Sequence, residues 1–197
     1  MKKRTLVPLA LLVLAALTIS ACGGGGSSDE GQITETIEQA ATTSDPSNCT
    51  ELETQRFVEQ NSEEKGAGAV MACEKEAEEG EEEAEAAHVS NVSVNGSKAT
   101  AEVEFEGGGL DAQTLELALV EEGGSWKLDQ VEGFTKFDGA ALGEAFEKEF
   151  EESPEGLSKT QATCIAQGIA KASKARAEEL LLSGSPEPII ELAEGCA

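Results

Sequence analysis

Three kinds of hydrophobic patterning follow one another along the chain. Leu6 to Ile19 is an almost unbroken apolar run behind Lys2, Lys3 and Arg4, with small residues at Ser20 and Ala21. A positive start, an apolar middle and a small-residue end are the parts of an export signal, and the run is shorter than the roughly 20 apolar residues a membrane span needs. From Gln32 to Thr43 the period is helical: Ile33, Ile37, Ala40 and Ala41 fall at i, i+4, i+7 and i+8 on one stripe. "TSDPSN" breaks that helix. Thr50-x-x-Glu53 has the form of a capping box and predicts a second helix, with Leu52, Phe57 and Val58 as its buried candidates. A third is expected from Glu63 to about Ala77, where Ala69, Cys73 and Ala77 are four apart on one face.

From His88 the period changes to two. Val92 and Val94 alternate before Asn95-Gly96, a strong hairpin signal, and Ala99, Ala101, Val103 and Phe105 alternate after it. "GGGLDAQ" predicts the next turn. Thr114 to Glu122 carries Leu115, Leu117 and Leu119 in phase, and "WKLDQVEGF" a fourth strand with Trp126 and Leu128 in phase. The expectation is an antiparallel meander with one apolar face, which the preceding helices must cover. The tail is helical again. Leu142, Phe146 and Phe150 are four apart; Ser158 caps a helix carrying Cys164, Ile165, Gly168 and Ile169. Leu180 to Leu182 follow, then Ser185-Pro186 as N-cap and first helical residue of a last helix with Ile189, Leu192, Ala193 and Cys196 on its apolar stripe. Gly168 is expected to let those two helices approach closely.

Composition narrows the options. The net charge is −25, and residues 1–21 hold three bases and no acids, so the chain without them carries −25 − 3 = −28. Such a surface repels nucleic acid and anionic headgroups, so no nucleic-acid partner is expected. The run from Glu74 to Glu85 has Glu as its only acid, without the Asp and Asn that a calcium loop sets at fixed positions, and reads as a frayed helix end with a solvated connector. With 4% aromatic residues and no tyrosine, the cores are thin. Small thin-cored domains are often stapled, and Cys49, Cys73, Cys164 and Cys196 are expected to form disulfides outside the cytoplasm. Four cysteines allow three connectivities; their spacing favours the local pairs Cys49–Cys73 and Cys164–Cys196. A metal reading fails for want of any C-x-x-C or second histidine.

The fifth cysteine closes the export signal. Ile19-Ser20-Ala21-Cys22 resembles the lipobox of bacterial lipoproteins. The resemblance implies that Cys22 becomes an N-terminus bearing acyl chains such as palmitate, anchored to the extracytoplasmic side of the cell membrane. Two or more chains suffice for stable anchoring. Residues 22–31, "CGGGGSSDEG", then read as a flexible tether.

A second resemblance lies in Cys49-x-x-Leu52-x-Thr54-x-x-Phe57, Cys73, Asn95-Gly96 with its alternating Ala and Val, and Gly124-Ser125-Trp126-Lys127-Leu128. Together these resemble small bacterial lipoproteins of the NTF2-like superfamily, over about residues 32–134. The resemblance implies an α+β fold: a cone of N-terminal helices packed on a curved antiparallel sheet, here followed by a small disulfide-pinned helical module. The expected divisions are a signal (1–21), a tether (22–31), an NTF2-like domain (32–137) and the C-terminal module (138–197). Enzymes of the superfamily place Asp, Tyr or His in the cone. This chain has no tyrosine and a single histidine, so the resemblance supports the fold rather than an activity.

Candidate chemistry is sparse. His88 has no partner at motif spacing and reads as exposed or structural; Asp111, after three glycines and Leu110, reads as a turn residue; Asp129 alternates with Trp126 and Leu128 and is expected to face water. No G-x-S-x-G or P-loop pattern occurs. The expected function is therefore non-catalytic, without a cofactor: a membrane-tethered lipoprotein binding a small ligand or a protein partner. The alternative is a small acid–base enzyme using a carboxylate in the cone. An enzyme needs an interior cavity lined by a desolvated carboxylate or His88; a binding protein fits a filled or purely apolar interior.

Overall fold

The computed structural model describes residues 26–62, 64–79, 83–152, 158–185 and 187–196. The export signal, Cys22 and the first glycines of the tether lie outside them. Among the described residues the fold is α+β, with helices α1 (Gly26–Thr42), α2 (Asn48–Glu51), α3 (Gln55–Gln60) and α4 (Ala67–Glu79) first. Strands β1 (Ala86–Asn95), β2 (Lys98–Glu106), β3 (Thr114–Glu122) and β4 (Ser125–Lys136) follow as one antiparallel sheet in the order β1-β2-β3-β4. Helices α5 (Gly139–Glu152), α6 (Lys159–Ala170), α7 (Lys174–Leu181) and α8 (Glu187–Glu194) complete the chain. No helix among these residues is long and apolar enough to cross a membrane.

The alternation expected for the strands is realised. Ala99, Ala101, Val103, Leu115, Leu117, Leu119, Trp126 and Leu128 are all buried on one face of the sheet, against Ile33 and Ile37 of α1. Helix α1 lies against both β1 and β4, the two edges of the sheet. Strands spaced about 4.8 Å apart put those edges about 14 Å from one another, a width that a helix of 17 residues spans. The pairing is irregular: β1 is bulged between Ser90 and Ser93, with Asn91 at φ +51°, and the β3–β4 register shifts three times. Each bulge bends its strand and increases the local twist.

Two local expectations are corrected. Helix α1 begins at Gly26 rather than Gln32, so residues 26–31 of the expected tether are helical. Asp29 in the first turn suits the positive end of the helix, and the fixed stripe at Ile33 and Ile37 supports propagation upstream. The expected second helix is two short ones. Thr50 and Glu53 form no capping box; Thr54 is the cap, its hydroxyl accepting from Phe57 N at 3.2 Å. After Leu52, the C-cap of α2, the chain extends at Glu53 and Thr54 and pairs in parallel with β4, Leu128 N donating to Leu52 O and Thr54 N to Leu128 O, both at 2.8 Å. At 100° per residue, Leu52 and Phe57 on one helix would sit about 140° apart, so no single helix could bury both.

Both disulfides are formed, Cys49–Cys73 tying α2 to α4 and Cys164–Cys196 tying α6 to the end of α8. Loops of 24 and 32 residues are each worth roughly 3–4 kcal/mol in the chain-entropy model. Close helix approaches frame the second one. A Cβ on Gly168 would lie 2.6 Å from Leu192 Cδ1, and one on Gly143 2.7 Å from Ala166 O. Ser158 caps α6 in a full capping box with Gln161. Leu142 of α5 is fully buried with Ile165 and Ile169; the side chain of Phe150, like Pro186, lies outside the described residues.

Buried amides fasten the tail helices to the sheet. Gln113, wholly buried, donates to Asp111 O and Asp138 O and accepts from Asp138 N, joining the β2–β3 turn to the start of α5. Gln60 exchanges two hydrogen bonds with the backbone of Val131 and donates to Leu182 O, linking α3, β4 and the end of α7. Ala177 of α7 is fully buried in the sheet's own core.

Candidate functional site

The stripe of α1 tapers, and the taper makes a cleft. Ile33 and Ile37 fill the space under one half of the helix, where Thr36 donates to Trp126 O. One turn after Ile37, the same stripe carries Ala40 and Ala41, half-buried against the core but with much smaller side chains. The result is a cleft of about 400 Å³ between Ala40 and Ala41, the inner side chains Phe105, Leu115, Leu117 and Val131, and the roof formed by Phe57, Val58 and Cys73. Its polar lining is Glu53, Asn61, Ser62 and Glu76. The interior is neither filled nor purely apolar.

Glu53 dominates the chemistry of this space. It occupies the extended residue between α2 and α3, where backbone pairing with Leu128 holds it. Successive side chains of extended backbone point to opposite sides: Thr54 reaches Asp129 (3.0 Å) outside, and Glu53 turns to the cleft. Cys73 Sγ lies 3.8 Å from a Glu53 carboxylate oxygen, but this sulfur is in the disulfide and has no proton to donate. Among the described residues no other hydrogen bond or ion pair reaches the Glu53 carboxylate. Withdrawal from water therefore pushes its pKa from 4.5 up to about 7. Cys49, Glu53 and Cys73 bring their ligand-type atoms within 4.8 Å of one another. The two sulfurs are bonded to each other, and neither offers the thiolate a metal requires.

The carboxylates and histidine singled out in the sequence lie elsewhere. His88 is exposed on β1, 3.3 Å from Glu106, with Glu104 and Lys136 on the outer face of the sheet. Asp111 accepts from Gly107 N at 2.8 Å and closes the β2–β3 turn. Asp129 does not simply face water. Its side chain is 18% exposed, bonded to Thr54 Oγ1 and to Arg56 Nη1 at 3.0 Å, and it clamps α3 to the outside of β4. The structure brings none of the three into the cleft. Glu53 was hidden by its match to a capping box; the phase break between Leu52 and Phe57 was the available signal.

Set against known protein families, characterised proteins and solved structures, the chain matches none.

Glu53 destabilises the empty fold as its carboxyl ionises. Its folded-state pKa, about 7, lies above the ordinary 4.5, so the folded chain binds the proton more tightly than the unfolded chain. That contribution is complete below pH 4.5 and disappears as pH rises to 7, by up to about 3 kcal/mol. Glu53→Gln is thus expected to gain on wild type by about 2–3 kcal/mol between pH 4.5 and pH 8, read as the difference in urea-unfolding free energy at the two pH values. A difference that does not change with pH would mean that Glu53 is hydrated.

Proposed function

We propose that this protein is a lipid-anchored extracytoplasmic binding protein that holds one small, mainly apolar ligand under α1, on an NTF2-like scaffold. The observation that carries the reading is the 400 Å³ cleft with its predominantly apolar lining. Its size falls within the range of about 300–1,000 Å³ usual for small-molecule sites. Helices packed on one face of a bulged antiparallel sheet fit the arrangement the NTF2-like resemblance implies, and they support that scaffold. For the anchor, the support is Ile19-Ser20-Ala21-Cys22 behind an apolar run of export-signal length. A net charge of −28, from the count above, keeps the body clear of anionic headgroups while the acyl chains hold it nearby.

A small ligand fits better than a protein partner. Met71 and Ile190 are the exposed large apolar side chains among the described residues, and they sit on different helices rather than in a patch. One observation favours the alternative, acid–base catalysis: a carboxyl whose pKa stands at about 7 is tuned for proton transfer. Catalysis also needs groups that orient a substrate and stabilise developing charge. Among the described residues the cleft's remaining polar side chains are Asn61, Ser62 and Glu76.

Two measurements test this reading. The neutral fluorophore N-phenylnaphthylamine is expected to brighten saturably at one equivalent per chain. Ala40→Phe, which fills the cleft from α1, is expected to abolish uptake while retaining a cooperative thermal transition. Undiminished uptake by the folded variant would place the ligand elsewhere. For the anchor, labelled palmitate is expected in the wild-type protein and absent from Cys22→Ser; equal labelling of the two would refute acylation at Cys22.

A further inference from the structure

We propose that the cleft selects a small cationic amphiphile, an alkylammonium or arylalkylammonium ion, with its ammonium group on the Glu53 carboxylate and its apolar body between Ala40, Ala41, Leu115 and Leu117. This rests on the reading of the cleft as a ligand site and adds the chemistry of the ligand.

Position and charge carry it. Glu53 lines the apolar cleft and also an adjoining cleft of about 220 Å³. The adjoining cleft is acidic. Asp45 from the turn after α1, Glu76 from α4 and Glu83 from the segment before β1 all line it. These, with Glu53, are the charged groups lining the two clefts among the described residues. The lining residues of α1, α3, β2, β3 and β4 are uncharged, and among the described residues neither cleft has a lysine, arginine or histidine.

The three classes of amphiphile therefore fare differently. A carboxylate-headed molecule brings a second negative charge to Glu53 and Glu76 and is repelled. A neutral one buries its apolar body but leaves a desolvated carboxylate unpaired. An ammonium supplies three N–H donors and the opposite charge, which a carboxylate removed from water lacks. Pairing also settles the proton. In the empty protein Glu53 is part-protonated at neutral pH, because burial holds its pKa near 7. Ammonium binding stabilises the ionised form, so complex formation near pH 7 releases a fraction of a proton to solvent.

Octylamine, octanol and octanoate share one apolar tail and separate the alternatives in isothermal titration calorimetry. At pH 8 octylamine is expected to bind about tenfold more tightly than octanol, the factor of one charge-assisted hydrogen bond, and octanoate more weakly than either. Glu53→Gln is expected to bring octylamine down to the affinity of octanol while leaving octanol unchanged, which also shows the cleft intact. At pH 5, with Glu53 protonated, the wild-type preference for the amine is expected to disappear. A preference that survives in Glu53→Gln, or octanoate binding as tightly as octylamine, overturns the proposal and leaves the cleft a ligand site. Binding of none of the three overturns the proposal together with the reading it rests on.

Discussion

Two backbone hydrogen bonds set the character of this molecule, those that fasten Leu52 and Thr54 to Leu128 of β4. They separate α2 from α3 and hold Glu53 and Thr54 in extended chain. Extended backbone separates neighbours, so Thr54 meets Asp129 on the outside while Glu53 enters the cleft. The Cys49–Cys73 disulfide fixes the segment from its other end by tying α2 to α4. Held at both ends, Glu53 has little freedom to swing its carboxylate into bulk water.

The space it enters is produced by side-chain size and strand irregularity together. Bulges in β1 and along β3–β4 bend and twist the sheet beneath α1, and the cleft lies where that helix changes from isoleucine to alanine. Neither feature helps the empty fold. Apolar volume without side chains forfeits packing, and an unpaired carboxylate in it opposes folding above its own pKa. Two adjacent features that work against stability are characteristic of a site arranged for an occupant.

Much of the scaffold was legible in the sequence because it rests on periodicity and size. Leu115, Leu117 and Leu119 lie two apart on a strand that must bury one face, and they are buried. Gly168 was expected to bring helices close, and Leu192 occupies the space a Cβ would need. The disulfides follow the local pairs that spacing favoured. The cleft was less legible. Glu53 matched a capping box in its own neighbourhood, and only long-range pairing with Leu128 shows why that box does not form. Gln60 and Gln113 were missed for the same reason: a glutamine satisfied by backbone groups far along the chain leaves no local mark.

The partial withdrawal of the Glu53 carboxylate from water beside an apolar cleft can be observed at a single atom. Carbon-13 NMR of the Glu53 carboxyl carbon, assigned by comparison with Glu53→Gln and followed against pH in the ligand-free protein, reports its ionisation directly. A midpoint near 7 is the predicted result. A midpoint at the ordinary 4.5 would show the carboxylate fully hydrated and would contradict the account.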